Sequence, residues 1–128
     1  MPMTYADAKE RLLNLDFHAI TLVPDTGIAA TDIGKIGTIS DIGEWGLGAD
    51  AGTPFGVLRV FETDAVGVQD RGYAEIDIEH DATAANEVQN GGWVELDGAG
   101  KGAKSATNKG VIAVAVDATN HKAIVKLG

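Results

Sequence analysis

The chain contains no cysteine, so no disulfide braces the fold and no thiolate is available as a nucleophile or metal ligand. Aromatic residues make up only 5% of the sequence and there are three prolines, against 17 glycines. That balance favours short strands joined by tight turns over packed helices. No apolar run approaches the length needed to cross a bilayer, and the N-terminus carries no apolar segment of signal-peptide type. The expectation is a soluble protein made in a cytoplasm, without membrane contact. Its 128 residues suffice for one domain with a single sizeable core.

Positive charge is scarce and unevenly placed. The net charge is −9, yet residues 101–128 carry five lysines against Asp117 alone, a balance of +4 that leaves −13 on the first hundred residues. A surface of that sign repels phosphate backbones and disfavours nucleic-acid binding. The lysines at the C-terminal end are read as a solvated strand face, with contact to an acidic neighbouring copy as the other reading.

The clearest pattern lies at the C-terminus. Val111-Ile112-Ala113-Val114-Ala115-Val116 is an apolar, β-branched run, residues 117–121 have turn chemistry, and residues 122–127 alternate. This predicts a hairpin with a five-residue loop, a buried first strand and a half-buried second. Upstream, strands are expected over 17–23, 35–39, 56–61, 65–69, 73–79 and 92–96. Residues 101–109 read as a polar connection. The 73–79 segment alternates most cleanly, with Tyr73, Glu75, Asp77 and Glu79 expected to face water. Residues 27–56 are glycine-punctuated and place Trp45 among glycines, as a lid over the core or an exposed anchor.

At the N-terminus, Thr4 with Asp7 forms an imperfect capping box. Tyr5, Ala8, Leu12 and Leu15 then make a helical apolar stripe, ending around residues 14–16. A helix this short needs a surface to lie on, either its own domain or a neighbour. The expected architecture is mainly β: a small antiparallel barrel or sandwich over residues 19–128, preceded by a short amphipathic helix or arm over residues 1–18.

The search for chemistry finds no catalytic constellation. Asp97-Gly98-Ala99-Gly100-Lys101-Gly102 fails the phosphate-loop pattern, because Glu95 stands where a glycine is required and Gly102 where Ser or Thr is required. His18, His80 and His121 are isolated, and none has a second His or Cys at ligand spacing, so neither a metal nor a cofactor is expected. Glu79-His80-Asp81 is the one local cluster with acid–base potential, and a solvated strand end is the plainer reading. Ser40 and Ser105 lie in no nucleophile context. An enzyme is not expected.

Several segments resemble the tailed-bacteriophage capsid decoration (cement) proteins. They are Val94-Glu95-Leu96-Asp97-Gly98-Ala99-Gly100-Lys101, Ala106-Thr107-Asn108, the run from Val111 to Val116, and the closing Ile124-Val125-Lys126-Leu127-Gly128. Phe55-Gly56-Val57-Leu58 and Ala65-Val66-Gly67-Val68 fit that family's earlier strands loosely, so the resemblance covers roughly residues 55–128. It implies a non-enzymatic protein on the outer surface of a virion capsid, bridging major capsid protein subunits as a homo-oligomer, usually a trimer. On that reading Tyr5, Leu12 and Leu15 of the arm, with Trp45 and Phe55, are the candidate protein-interface residues. The alternatives are a virion-displayed host- or glycan-binding β module using Trp45 and Trp93, and a small hydrolase using Glu79, His80 and Asp81.

Overall fold

The fold is described from a computed structural model covering residues 2–15 and 18–128. One helix, α1 (Tyr5–Leu12), precedes nine strands: β1 (His18–Pro24), β2 (Ile36–Asp41), β3 (Glu44–Gly46), β4 (Gly56–Phe61), β5 (Val66–Asp77), β6 (Trp93–Leu96), β7 (Gly102–Lys104), β8 (Val111–Asp117) and β9 (Lys122–Leu127). The fold is mainly β, as the composition implies. Phe17, expected at the start of β1, and Asp16, at the expected helix end, lie outside the described residues. No helix among the described residues is long and apolar enough to cross a membrane.

The sheet runs β1-β3-β2-β4-β5-β9-β8-β6-β7 and folds back on itself, because β1 also pairs with β5. The pairings β1–β3, β3–β2, β2–β4, β4–β5 and β5–β1 therefore close a five-stranded ring, antiparallel except for β1–β3. Beyond it, β5 continues along β9, and a bridge between Ile78 and Gly102 links the end of β5 to β7. A second ring of β5, β9, β8, β6 and β7 is thereby nearly closed. Closing a sheet removes the exposed edges through which strands aggregate.

Strand β5 is shared by both rings. Residues 66–71 pair with β1 and β4, and residues 72–77 pair with β9. The change of partners falls at Gly72, whose φ of 92° is open to glycine and strained for other residues. The separate strands expected at 65–69 and 73–79 are thus one twelve-residue strand. The glycine-punctuated segment 27–56 contains the β2–β3 hairpin, and the expected connection 101–109 contains β7.

Each ring is filled by side chains. Trp45, Leu58, Val66 and Val68 fill the first, with Leu22, Ile28, Leu47, Phe55 and Phe61 packed around them. Ala74, Ile76, Ile78, Val94, Leu96, Ala113, Ala123, Val125 and Leu127 fill the second, joined by Ile36 and Val57 from β2 and β4. Gly37 makes the first packing possible, since a Cβ there would lie 2.6 Å from the Trp45 ring and 2.2 Å from the Gly46 carbonyl oxygen.

Helix α1 starts at Thr4, whose Oγ1 accepts the Asp7 N–H at 3.2 Å. It lies on the outer face of the second ring, where Ala8, Tyr5, Leu12 and Leu13 pack with Ala115, Ile124 and Tyr73. This cover reverses the expected burial of the terminal hairpin. Ile124 is buried beneath the helix, making β9 the more buried strand, while Val114 of β8 is exposed. It also alters the outward face of β5: Glu75, expected in open solvent, accepts the Tyr5 hydroxyl at 2.8 Å and pairs with Lys9 at 3.4 Å.

Candidate functional site

The five interface candidates are dispersed. Tyr5 and Leu12 face the sheet of their own chain, and Leu13 joins them in place of Leu15, which is 54% exposed. Burial, followed by the bond to Glu75 and the nearby carboxylate charge, pushes the Tyr5 phenol above its ordinary range. Trp45 is 0% exposed and its indole N–H donates to the Gly56 carbonyl at 3.3 Å. A side chain enclosed in this way offers no contact surface, so the proposed anchor role of Trp45 is corrected to a core role. Phe55 is half-buried against the same cluster. Trp93 is exposed at the start of β6. Trp45 and Trp93 therefore do not form a shared aromatic platform.

The exposed apolar residues are elsewhere. Ile42, at the turn of the β2–β3 hairpin, is 99% exposed. Val23 and Ile39, both exposed, stand opposite Glu44 and Trp45 of β3 in the sheet register, which places them in the same end of the first ring. The Val23 N–H donates to the Gly43 carbonyl at 2.9 Å and ties β1 to this turn.

An open groove of about 720 Å³ lies between α1 and the sheet, lined in part by Tyr5, Lys9, Glu75, Asp117, Asn120 and Lys122. Its charged groups are already engaged. Glu75 meets Tyr5 and Lys9, Asp117 meets Asn120, and Lys122 is bonded to Asp77. The 97–102 loop is a turn between β6 and β7, and the Asp97 carboxylate itself accepts the N–H groups of Ala99 and Lys101 at 2.7 and 3.0 Å. A phosphate would have to displace that carboxylate.

The Glu79-His80-Asp81 cluster disperses on folding. Asp81 caps the Thr83 N–H at 2.7 Å. The Glu79 carboxyl is raised above its usual range by burial and then by the negative charges of Asp97 and Asp50. His80 turns toward two residues distant in sequence. Its Nδ1 lies 3.5 Å from Oε2 of Glu87, and the Nδ1 of His121 lies 3.5 Å from the same oxygen. The two imidazole rings are 4.3 Å apart between centroids and tilted by 40°. Glu87 Oε2 and His121 Nδ1 are shielded from solvent and make no hydrogen bond among the described residues.

Among the described residues, His80, Glu87 and His121 are the group of three whose ligand atoms are close enough to hold a metal ion. Sequence spacing misses them because they come from the loop that follows β5, the loop after a 3-10 turn (Ala84–Asn86) and the β8–β9 turn. One signal was available: Val88, an apolar residue within a polar loop, is 3% exposed and anchors that loop to the core beside Glu87. Comparison with known proteins finds no matching family model and no matching curated protein.

Proposed function

We propose that this protein is a structural decoration protein, which binds the outer surface of a phage head as a homo-oligomer and bridges major capsid protein subunits. The observation that carries this reading is a side-chain-filled body that leaves Ile42 wholly exposed at a hairpin tip. An apolar side chain held out by a paired hairpin suits insertion between other polypeptides, since a paired backbone has less chain entropy to lose on docking than a free loop. Several such tips in one oligomer would act together, each further contact forming within an assembly already attached. The reading also draws on the resemblance of residues 55–128 to the decoration proteins in sequence.

The test is co-sedimentation of the purified protein with expanded phage heads, alongside light scattering of the free protein. The expected results are saturable binding, a trimeric mass and lower occupancy for Ile42→Asp, whose exposure leaves the fold intact. Failure of the wild-type protein to bind heads counts against the decoration reading. Wild-type binding with unchanged Ile42→Asp occupancy counts against the hairpin tip as the contact.

A further inference from the structure

We propose that His80, Glu87 and His121 bind a divalent transition-metal ion of the zinc class. Two protein ligands of a tetrahedral zinc ion, each about 2.0–2.1 Å from the metal, are separated by about 3.3–3.4 Å. The two Nδ1–Oε2 separations of 3.5 Å match that spacing. Neither contact has hydrogen-bond geometry, although both groups are polar and Oε2 is buried. Buried polar atoms without partners are uncommon, and one bridging ion would satisfy the carboxylate and both imidazoles together.

The three ligands are held by contacts that do not involve a metal. The His121 carbonyl accepts the Ile78 N–H at 3.0 Å, fixing the β8–β9 turn beside the segment that carries His80. The Glu87 loop is pinned by buried Val88, by Lys104 Nζ donating to the Ala85 carbonyl at 2.6 Å, and by Gln89 Nε2 donating to the carbonyls of Ala84 and Glu87 at 2.9 and 3.1 Å. Such prior organisation lowers the entropic cost of binding. His80 is the exposed member and provides the route by which an ion enters from solvent.

The donor set selects the class of ion. Two imidazole nitrogens and one carboxylate oxygen suit zinc, cobalt and nickel, whereas magnesium and calcium favour shells of oxygen. With three protein ligands, water completes the coordination. The bound ion would join the loop that follows β5, the 84–88 loop and the terminal hairpin at one mouth of the second ring. This site is independent of the capsid reading.

The test uses the full-length, untagged protein after chelator treatment, titrated calorimetrically with Zn2+ and, separately, Mg2+. Expected are one Zn2+ per chain at micromolar affinity or tighter, no comparable Mg2+ binding, and a Zn2+-dependent rise in melting temperature. His80→Ala, whose exposed side chain is dispensable for folding, and Glu87→Gln should each weaken Zn2+ binding by about tenfold or more. With Co2+, the wild-type protein should show visible d–d absorption that the variants lose. Absence of saturable Zn2+ binding overturns the proposal, as does wild-type affinity in correctly folded His80→Ala protein.

Discussion

Gln69 and Arg59 meet where the two rings join: the Gln69 side-chain oxygen accepts Nε and Nη2 of Arg59 at 2.8 and 2.6 Å. Gln69 is 0% exposed, and its amide nitrogen donates to the carbonyls of Arg71 and Tyr73 at 3.1 and 3.0 Å. Those carbonyls flank Gly72, where β5 changes partners. A buried side chain thus supplies hydrogen bonds at a break in the ladder, as buried backbone groups require.

Gln69→Leu should consequently be severe. It removes the acceptor of two Arg59 bonds and the donor to two carbonyls, with an expected loss of about 3 kcal/mol, since each unsatisfied buried group costs about 1–3 kcal/mol. Urea unfolding would show a lower midpoint. A change under about 0.5 kcal/mol would mean that the junction relaxes or admits water.

Gly102→Ala tests how tightly the second ring is filled. A Cβ at Gly102 would stand 2.6 Å from Val94 Cγ1 and 2.8 Å from Ile76 Cδ1. Overpacking of this kind costs about 1–3 kcal/mol. Thermal unfolding of the variant should show the loss directly.

Removing residues 1–15 uncovers Ile124 and Ala115, so the truncated chain should be less stable and more prone to associate than the intact one. Tyr5→Phe is the gentler probe. It deletes the bond to Glu75 and should cost about 1 kcal/mol. Chemical denaturation of both proteins measures this, and equal stability of the truncated chain would show that the helix contributes no net energy.

Two carboxyls give opposite pH effects. Asp32 is held below its usual range by its bond to Lys35 at 2.7 Å and then by the Ala29 N–H at 2.9 Å. The unfolded chain therefore binds the proton more readily, and this stabilisation is present above the unfolded carboxyl pKa and lost as pH falls through the folded one. Asp32→Asn should lower stability at neutral pH by about 1–2 kcal/mol, with the difference shrinking in acid. The raised Glu79 carboxyl works in reverse, its contribution being lost as pH rises through the folded pKa. Glu79→Gln should stabilise at neutral pH and lose that advantage below the ordinary glutamate range. Urea midpoints across pH distinguish the two signs.

The mainly β fold, the capped N-terminal helix and the terminal hairpin were legible in the sequence because they rest on local periods and turn chemistry. Burial within them was less legible. Ile124 lies on the face of β9 that alternation assigns to solvent, and only the docked helix buries it. Trp45 among glycines reads from sequence as a lid over the core in preference to an exposed anchor, and Gly37 with the β2–β3 pairing gives it a place in the core.

The ring closures and the His80–Glu87–His121 group belong wholly to tertiary structure. A local pattern specifies which residues can form a strand, but pairing between β1 and β5, or between Ile78 and Gly102, depends on contacts distant along the chain. The sequence by itself determined a cysteine-free, acidic, strand-rich protein with a helix at its start. Folding alone brought two histidines and a glutamate from three separate segments to one buried oxygen, because ligand geometry is set by proximity in space and sequence spacing carries no record of it.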